Sequence, residues 1–316
     1  MRNKQDFIKA LDLIKQSHKI FLTTHEGTDG DDLGSLLALK NYLEQINKEV
    51  FAAVKGGIPK NLVFLPGSDE VEEEFPSDYI DLVITFGCNK LDRPGFPQLL
   101  SFQGFIINFD HHPDNTNFGA VNVVDPTTSA VAELIYYFLL FTQAQINKEI
   151  ATNLLTGIFT DTGGFKHANT SAEALEVAAE LLKKGARIDK IALQTMGRKR
   201  PSAIKAWSRG LENARFDPEK RMVFSVLTEE DLKEIGASDE DLDGFVELLN
   251  NMPQARFSLL LRQDGDTVKG SLRSEPHKKV DVSKIAKSFG GGGHKLASGF
   301  KIKGKLRREG NAWRIS

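Results

Sequence analysis

The sequence has a single cysteine, only two tryptophans and no long apolar run. Because Cys88 is alone, an intramolecular disulfide is excluded. No apolar stretch approaches the roughly 20 residues that a membrane-spanning helix needs, and residues 1–6 lack the hydrophobic segment of a secretory signal. These absences predict a cytoplasmic protein that does not enter the membrane.

An excess of positive charge is also missing. The chain has 41 lysines and arginines against 43 aspartates and glutamates, which gives a net charge of -2 and a pI near 6.4. A protein that coats duplex nucleic acid would be basic overall, so any nucleic-acid partner is expected to be short. With 316 residues, of which 40% are apolar, the chain is long enough for two domains with sizeable cores.

Short apolar segments alternate with helical or loop segments in the first half of the chain, which predicts an α/β domain with a parallel sheet covered on both faces. Helices are predicted from about Ser129 to Leu140 and from about Lys148 to Phe159. The predicted strands are Lys19–Thr24, Glu49–Val54, Asp81–Phe86, Phe105–Phe109 and a fifth at residues 121–126 that Pro126 stops.

The last third predicts a smaller mixed-sheet domain. Its strands are expected at residues 222–226, 257–261, 268–273 and through Phe300–Ile302, with helices at 229–235 and 283–288. The basic segment from Gly197 to Pro201 predicts a hinge. We therefore expect domains at 1–190 and 211–316 with a linker at 191–210, and a frayed tail at 305–316.

Side chains that bind metals or protons follow several of the predicted elements, where open α/β folds place their sites. They are His25, Asp29 and Asp31 after the first strand, Asp110, His111 and His112 after the fourth, and Asp161 at the end of a helix. Carboxylates with imidazoles suit Mn²⁺ or Mg²⁺ better than metals that prefer thiolates. Each cluster also has a structural interpretation, because the aspartates at 29–32 could simply cap the following helix.

A run of four glycines precedes His294 near the C-terminus. A backbone without side chains can approach a phosphate and point N–H groups at it, and Arg273 beside Ser274 could recognise the same anion in bidentate fashion. The alternatives are a flexible connector for Gly290–Gly293 and an ordinary surface position for Arg273.

Taken in order, these segments resemble the DHH phosphoesterase superfamily, in the subgroup with a DHH-associated C-terminal domain, and nanoRNase/pAp phosphatases above all. The resemblance rests on five segments that span nearly the whole chain. They are His25-x-x-x-Asp29-x-Asp31 with Gly34-Ser35, Asp110-His111-His112, Asp161-Thr162-Gly163, Arg273-Ser274, and Gly290–Gly293 with His294.

The resemblance implies a two-domain enzyme with two Mn²⁺ ions, or Mg²⁺ in their place, in a cleft between the domains. One ion would be held by His25 and Asp29 and the other by Asp31, His111 and Asp161, with Asp110 and His112 as catalytic residues next to the reacting phosphate. The substrate-binding residues that it implies are Arg273, Ser274, Gly291, Gly292, Gly293 and His294. Whether the protein forms a homodimer is left open by the sequence.

One position departs from the family pattern. The family has a metal-bridging aspartate at the end of the strand before the DHH strand, and Gly87 stands there in this chain. Asp32, Cys88 or Asn89 could compensate, although Asp32 is expected as an exposed charge at a helix N-terminus and Cys88 as a small buried residue.

Two hypotheses follow from this pattern. The first is a metal-dependent phosphoesterase acting on short RNA or DNA oligonucleotides or on a small nucleotide such as pAp or a linear dinucleotide. The alternative, which Gly87 favours, is a catalytically impaired homologue that binds nucleotides. The intact DHH motif and the other four matching segments favour the enzyme.

Overall fold

The computed structural model describes residues 3–197, 200–310 and 312–316. The chain divides into two compact units, Met1–Arg198 and Lys199–Ser316. None of the helices in the described ranges is both long and apolar enough to cross a membrane.

The N-terminal unit contains a five-stranded sheet in which all neighbouring strands are parallel, in the order β2-β1-β3-β4-β5. Its strands are β1 (Lys19–Thr24), β2 (Glu49–Ala53), β3 (Leu82–Phe86), β4 (Phe105–Asp110) and β5 (Val121–Val124). Both faces of the sheet are covered, because Ile20 and Leu22 belong to one apolar cluster while Phe21 between them belongs to another. The predicted α/β class is confirmed.

Helices pack around this sheet. They are α1 (Lys4–Gln16), α2 (Gly30–Gln45), α3 (Val131–Phe141), α4 (Lys148–Asp161), α5 (Ala172–Lys183) and α6 (Ile188–Ala192). Helix α2 is buried on nearly every side from Gly30 to Leu43. It lies close to α4 because Gly34 has no side chain to separate the two backbones: a β-carbon at position 34 would lie 2.4 Å from the carbonyl oxygen of Asn153.

The C-terminal unit contains a six-stranded mixed sheet in the order β10-β11-β9-β8-β7-β6, in which only the β7–β8 pair is parallel among the described residues. Its strands are β6 (Arg215–Asp217), β7 (Met222–Leu227), β8 (Phe257–Asp264), β9 (Thr267–Arg273), β10 (Gly292–Gly293) and β11 (Ala297–Lys303). Its helices are α7 (Pro201–Glu212), α8 (Glu229–Ile235), α9 (Phe245–Asn250) and α10 (Val282–Ser288). The predicted mixed sheet is confirmed.

The expectation of a frayed tail at 305–316 is wrong. Residues Leu306–Glu309 form β12 and pair with β13, Ala312–Ile315. The tail is anchored to the unit because the backbone N–H of Leu306 donates to Oε1 of the buried Gln263 at 2.7 Å. Leu306, Trp313 and Ile315 are the apolar residues that a two-stranded ribbon can use.

The segment 191–210, predicted as a linker, contains the end of α6, a π-helical stretch at Leu193–Gly197 and most of α7. Helix α7 buries Ala203 and Ala206 in its own unit. The predicted hinge at 197–201 includes Arg198 and Lys199, which lie outside the described residues.

Candidate active site

The candidate site lies at the carboxyl edge of the parallel sheet, above three adjacent strands. His25 follows β1, Gly87 follows β3, and Asp110 ends β4 with His111 and His112 directly after it. Strand β3 lies between β1 and β4. His25, which follows β1, and the two histidines that follow β4 therefore lie on either side of Gly87. Parallel strands bring residues that are far apart in sequence together at one edge.

A first group of side chains that could hold a metal ion consists of His25, Asp29 and Asp32, whose ligand atoms lie within 4.8 Å of one another. His25 Nε2 lies 2.9 Å from Asp32 Oδ2 and 4.0 Å from Asp29 Oδ2. The other ring nitrogen, Nδ1, lies 2.9 Å from the carbonyl oxygen of Glu26. That contact fixes the orientation of the ring and turns Nε2 toward the carboxylates, as in histidines that bind metals.

Asp29 caps helix α2 and also faces His25. It is the N-cap of α2, and its Oδ1 accepts hydrogen bonds from the backbone N–H groups of Asp31 and Asp32 at 3.0 and 3.1 Å. Its other oxygen, Oδ2, faces His25. The capping interpretation and the ligand interpretation therefore use different oxygens and are compatible.

A second group consists of Asp31, His111 and Asp161, again with ligand atoms within 4.8 Å of one another. Both carboxylate oxygens of Asp31 accept backbone hydrogen bonds from the first two residues of α3, at 2.6 and 2.8 Å. His111 Nε2 lies 3.9 Å from Asp161 Oδ2. Asn169, which the sequence interpretation missed, donates its amide to the same oxygen of Asp161 at 3.1 Å.

The donor set of both groups fits a hard divalent cation. Each group offers one imidazole and two carboxylates, the ligands that Mn²⁺ and Mg²⁺ accept, and thiolate is absent from both. Burial raises the pKa of Asp161 to about 6. Burial and the charges of Asp161 and Asp32 raise the pKa of Asp31 well above its ordinary value. A cation placed among these carboxylates would relieve both effects.

Asp110 holds His112 in place. Its side chain is fully buried, and its Oδ1 accepts hydrogen bonds from the backbone of His111 at 2.8 Å and from His112 Nδ1 at 2.6 Å. Its Oδ2 accepts a bond from Asn115. Asp110 was predicted as a catalytic residue, and its observed contacts are with His111, His112 and Asn115. The sequence interpretation missed Asn115. It could have been found as an amide side chain five residues after Asp110 that is able to donate to that carboxylate.

The carboxylate of Asp110 also sets the charge of His112. Burial favours the neutral ring, but the hydrogen bond and the charge of Asp110 outweigh burial and raise the pKa of His112. Burial likewise favours a protonated Asp110, but the hydrogen bonds from His112 and Asn115 and the charge of His112 hold the pKa of Asp110 below its ordinary value. Both shifts favour an ion pair in which Nδ1 of His112 donates to Asp110.

Replacing Asp110 with asparagine is expected to lower the pKa of His112, because the charge of Asp110 then no longer opposes the effect of burial. NMR titrations of the His112 ring in the EDTA-treated natural protein and in the variant measure this change. A His112 pKa that is the same in both proteins would contradict the assigned role of Asp110.

The same pair makes stability depend on pH. The raised pKa of His112 contributes stability that is complete below its unfolded value of 6.5 and is lost as the pH rises through the folded value. The lowered pKa of Asp110 contributes stability above 3.8 that is lost as the pH falls through the folded value. The stability difference between the natural protein and Asp110→Asn is therefore largest between pH 3.8 and 6.5.

Asp32 does not lie where the sequence interpretation placed it. The residue is only 3% exposed, although it was expected as a solvent-exposed charge at a helix N-terminus. That expectation is wrong because α2 has almost no solvent face along its first three turns. Cys88 is fully buried, as expected, and the amide of Asn89 donates to Asp114.

The glycine run in the C-terminal unit has packing roles. A β-carbon at Gly291 would lie 2.2 Å from the carbonyl oxygen of Gly299, and Gly292 and Gly293 pair with β11. A cavity of about 380 Å³ adjoins Gly290 and Gly291, and Arg262, Lys269 and Lys301 are among the residues that line it. Positive side chains beside the run are compatible with an anionic ligand.

The other predicted substrate residues already have protein partners. Arg273 Nε donates to Glu247 Oε1 at 2.6 Å, and the buried Ser274 hydroxyl donates to the carbonyl oxygen of Arg256 at 2.9 Å. The carbonyl oxygen of His294 accepts a bond from the Ser298 hydroxyl at 2.7 Å. A phosphate bound by Arg273 would therefore compete with Glu247.

Each of the two units matches a known protein-family model. Residues 19–158 match the family model described as "DHH family, N-terminal domain", and residues 219–311 match the model of the "DHHA1 domain". A Thermus thermophilus protein named "Bifunctional oligoribonuclease and PAP phosphatase NrnA" is 34% identical over 285 residues, which are 90% of this chain and 84% of that protein. The Bacillus subtilis protein of the same name is 26% identical and covers 95% of this chain and 93% of its own length.

A solved structure is similar over the same span. The crystal structure of an "exopolyphosphatase-related protein" from Bacteroides fragilis superposes with a TM-score of 0.88 at 27% sequence identity. The match covers 96% of this chain and 92% of that chain.

Proposed function

This chain belongs to the DHH family of phosphoesterases, and we propose that it hydrolyses short oligoribonucleotides and pAp with the help of divalent metal ions, Mn²⁺ above all. The observation that carries the proposal is the pair of imidazole–carboxylate groups next to His112 at the carboxyl edge of the sheet. The names of the relatives from Thermus thermophilus and Bacillus subtilis support the choice of substrates.

The residues of the site have distinct tasks in this proposal. His25 and Asp29 would hold one ion, and Asp31, His111 and Asp161 would hold the other. When bound, two such ions lower the pKa of a water molecule and neutralise the developing charge of a phosphoryl group. Asn169 and the backbone of α3 keep Asp161 and Asp31 in position.

His112 supplies a proton in this proposal. Its Nδ1 is held by Asp110, which also raises the pKa of the ring and so favours its protonated form. The ring can therefore donate from Nε2 to a phosphate oxygen or to the leaving oxygen, as a general acid does. In the C-terminal unit, Arg273, Ser274, residues 291–293 and His294 would bind the nucleotide, helped by the positive side chains around the cavity beside Gly290.

The comparisons give no support to the alternative hypothesis, a catalytically impaired nucleotide-binding homologue. Gly87 was the reason for that hypothesis, and the carboxylate of Asp32 beside Gly87 offers another explanation of the missing side chain.

The experiment that tests the proposal measures mononucleotide release from pApA and from a five-nucleotide RNA, together with phosphate release from pAp. Each substrate is incubated with Mn²⁺, with Mg²⁺ or with EDTA. We expect turnover with Mn²⁺, none in EDTA, and recovery when Mn²⁺ is added back in excess, because the carboxylates of the site need a cation to hold the phosphate. Turnover that persists in EDTA, or its absence with both metals, would contradict the proposal.

A further inference from the structure

Gly87 occupies a central position in the site. It follows β3, the strand that separates β1 from β4, and it therefore lies between His25 on one side and His111 on the other. Its backbone is fixed, since its N–H donates to the carbonyl oxygen of Phe109 at 3.0 Å and its φ of +60° lies in the left-handed region. A carboxylate above this point would face both metal-binding groups.

The carboxylate of Asp32 lies above this point. A β-carbon at position 87 would be 1.9 Å from Asp32 Oδ1 and 2.1 Å from Oδ2, so any side chain there would force the carboxylate of Asp32 to move. Asp32 reaches the position from the first turn of α2, and its side chain is 5% exposed. The absence of a side chain at Gly87 is therefore a condition for the observed position of Asp32.

Asp32 is in direct contact with the first group, since its Oδ2 lies 2.9 Å from His25 Nε2 and the ligand atoms of Asp32, His25 and Asp29 lie within 4.8 Å of one another. Toward the second group, the carboxylate of Asp32 occupies the space above Gly87, which follows the strand next to the one that His111 follows.

A role as counter-ion of His25 alone does not account for this arrangement. Asp29 Oδ2 already faces the same ring nitrogen, so His25 has a carboxylate neighbour without Asp32. The carboxylate of Asp32 also occupies the space above Gly87, which a counter-ion of His25 alone would not need to fill.

We propose that Asp32 is a metal ligand shared by the two groups, and that its carboxylate, supplied from α2, replaces one that the end of β3 would otherwise supply from position 87. This inference rests on the proposed metal dependence. It adds that aspartate at 32 and glycine at 87 form a matched pair, so that the carboxylate can be moved between the two positions but cannot be present at both.

The test measures Mn²⁺ binding, by EPR detection of free Mn²⁺, to the natural protein, Asp32→Ala, Gly87→Asp and the double variant Asp32→Ala/Gly87→Asp. We expect two ions on the natural protein and about 100-fold weaker binding of at least one ion to Asp32→Ala. Gly87→Asp alone should bind Mn²⁺ more weakly and unfold at a lower temperature, because the new side chain collides with Asp32. The double variant should bind within about tenfold of the natural protein, since aspartate tolerates a positive φ better than most residues.

The matched control is Asp32→Ala/Gly87→Asn, which fills the same space without a charge. Recovery of binding with asparagine would show that shape matters and charge does not, and would overturn the inference. Unchanged affinity and stoichiometry in Asp32→Ala would also overturn it, while Mn²⁺-dependent hydrolysis by the natural protein would leave the proposed function standing. Failure of the natural protein to bind Mn²⁺ would overturn both. Thermal unfolding in EDTA confirms that each variant is folded.

Discussion

Replacing His111 with alanine is expected to lower kcat/KM for pApA by about 10³-fold, because metal-assisted charge stabilisation contributes several kcal/mol and each 1.4 kcal/mol is a factor of ten. His111 is the only imidazole of the second metal-binding group. Its Nδ1 lies 3.4 Å from the carbonyl oxygen of Thr128, so that Nε2 faces Asp161. Steady-state hydrolysis of pApA in saturating Mn²⁺ measures the effect.

The matched control for His111→Ala is His18→Ala. His18 is exposed just before β1, at the opposite edge of the same sheet, and its backbone N–H donates to Asp81 Oδ2 at 2.8 Å. We expect His18→Ala to keep the natural rate. If His111→Ala also keeps it, in protein that still unfolds cooperatively, the second group does not act in the reaction.

The five strands of the N-terminal unit and the four longer strands β7, β8, β9 and β11 of the C-terminal unit were predictable from their apolar runs, whereas β6, β10, β12 and β13 were not predicted. The segments Lys19–Thr24 and Leu82–Phe86 are apolar runs, bounded by polar or glycine residues, of the length typical of a strand buried on both faces. Residues after such strands must meet at one edge, which is why His25 and His111 could be placed in one site before any distance was known.

The position of Asp32 could not be predicted in the same way. The sequence shows that Asp32 begins a helix, and charges there are usually exposed. Whether a helix has a solvent face depends on what packs around it, and α2 is enclosed along its first three turns. A signal did exist, since the chain has one carboxylate more than the family pattern at position 32 and one fewer at position 87.

The contacts of Arg273 and Gly291 in the C-terminal unit could not be predicted from the sequence either. Arg273 pairs with Glu247, 26 positions away, and Gly291 packs on Gly299. Neither contact leaves a periodic pattern, because it depends on how β9, α9 and β11 are arranged in space. Glycines that look like a phosphate-binding loop can thus be required for packing.

The close contact between α2 and α4 gives the largest expected effect on stability. Replacing Gly34 with alanine should lower the free energy of unfolding by roughly 2–3 kcal/mol, because the new β-carbon would lie 2.4 Å from a backbone oxygen of Asn153, which cannot move independently of α4. The helix propensity of alanine recovers at most about 1 kcal/mol of the cost. Thermal unfolding should shift downward by about 3 °C for each kcal/mol.

Ser35→Ala is the matched control for Gly34→Ala. Ser35 is the next residue of α2 and equally buried, and its hydroxyl is without a hydrogen-bond partner among the described residues, so its removal should leave stability unchanged or slightly higher. Because α2 carries Asp31 and Asp32 while α4 ends at Asp161, separating the helices must also move ligands of both groups. Gly34→Ala should therefore weaken Mn²⁺ binding even well below its unfolding temperature. A variant that is destabilised but binds Mn²⁺ as tightly as the natural protein would show that the helix contact is not needed to position these ligands.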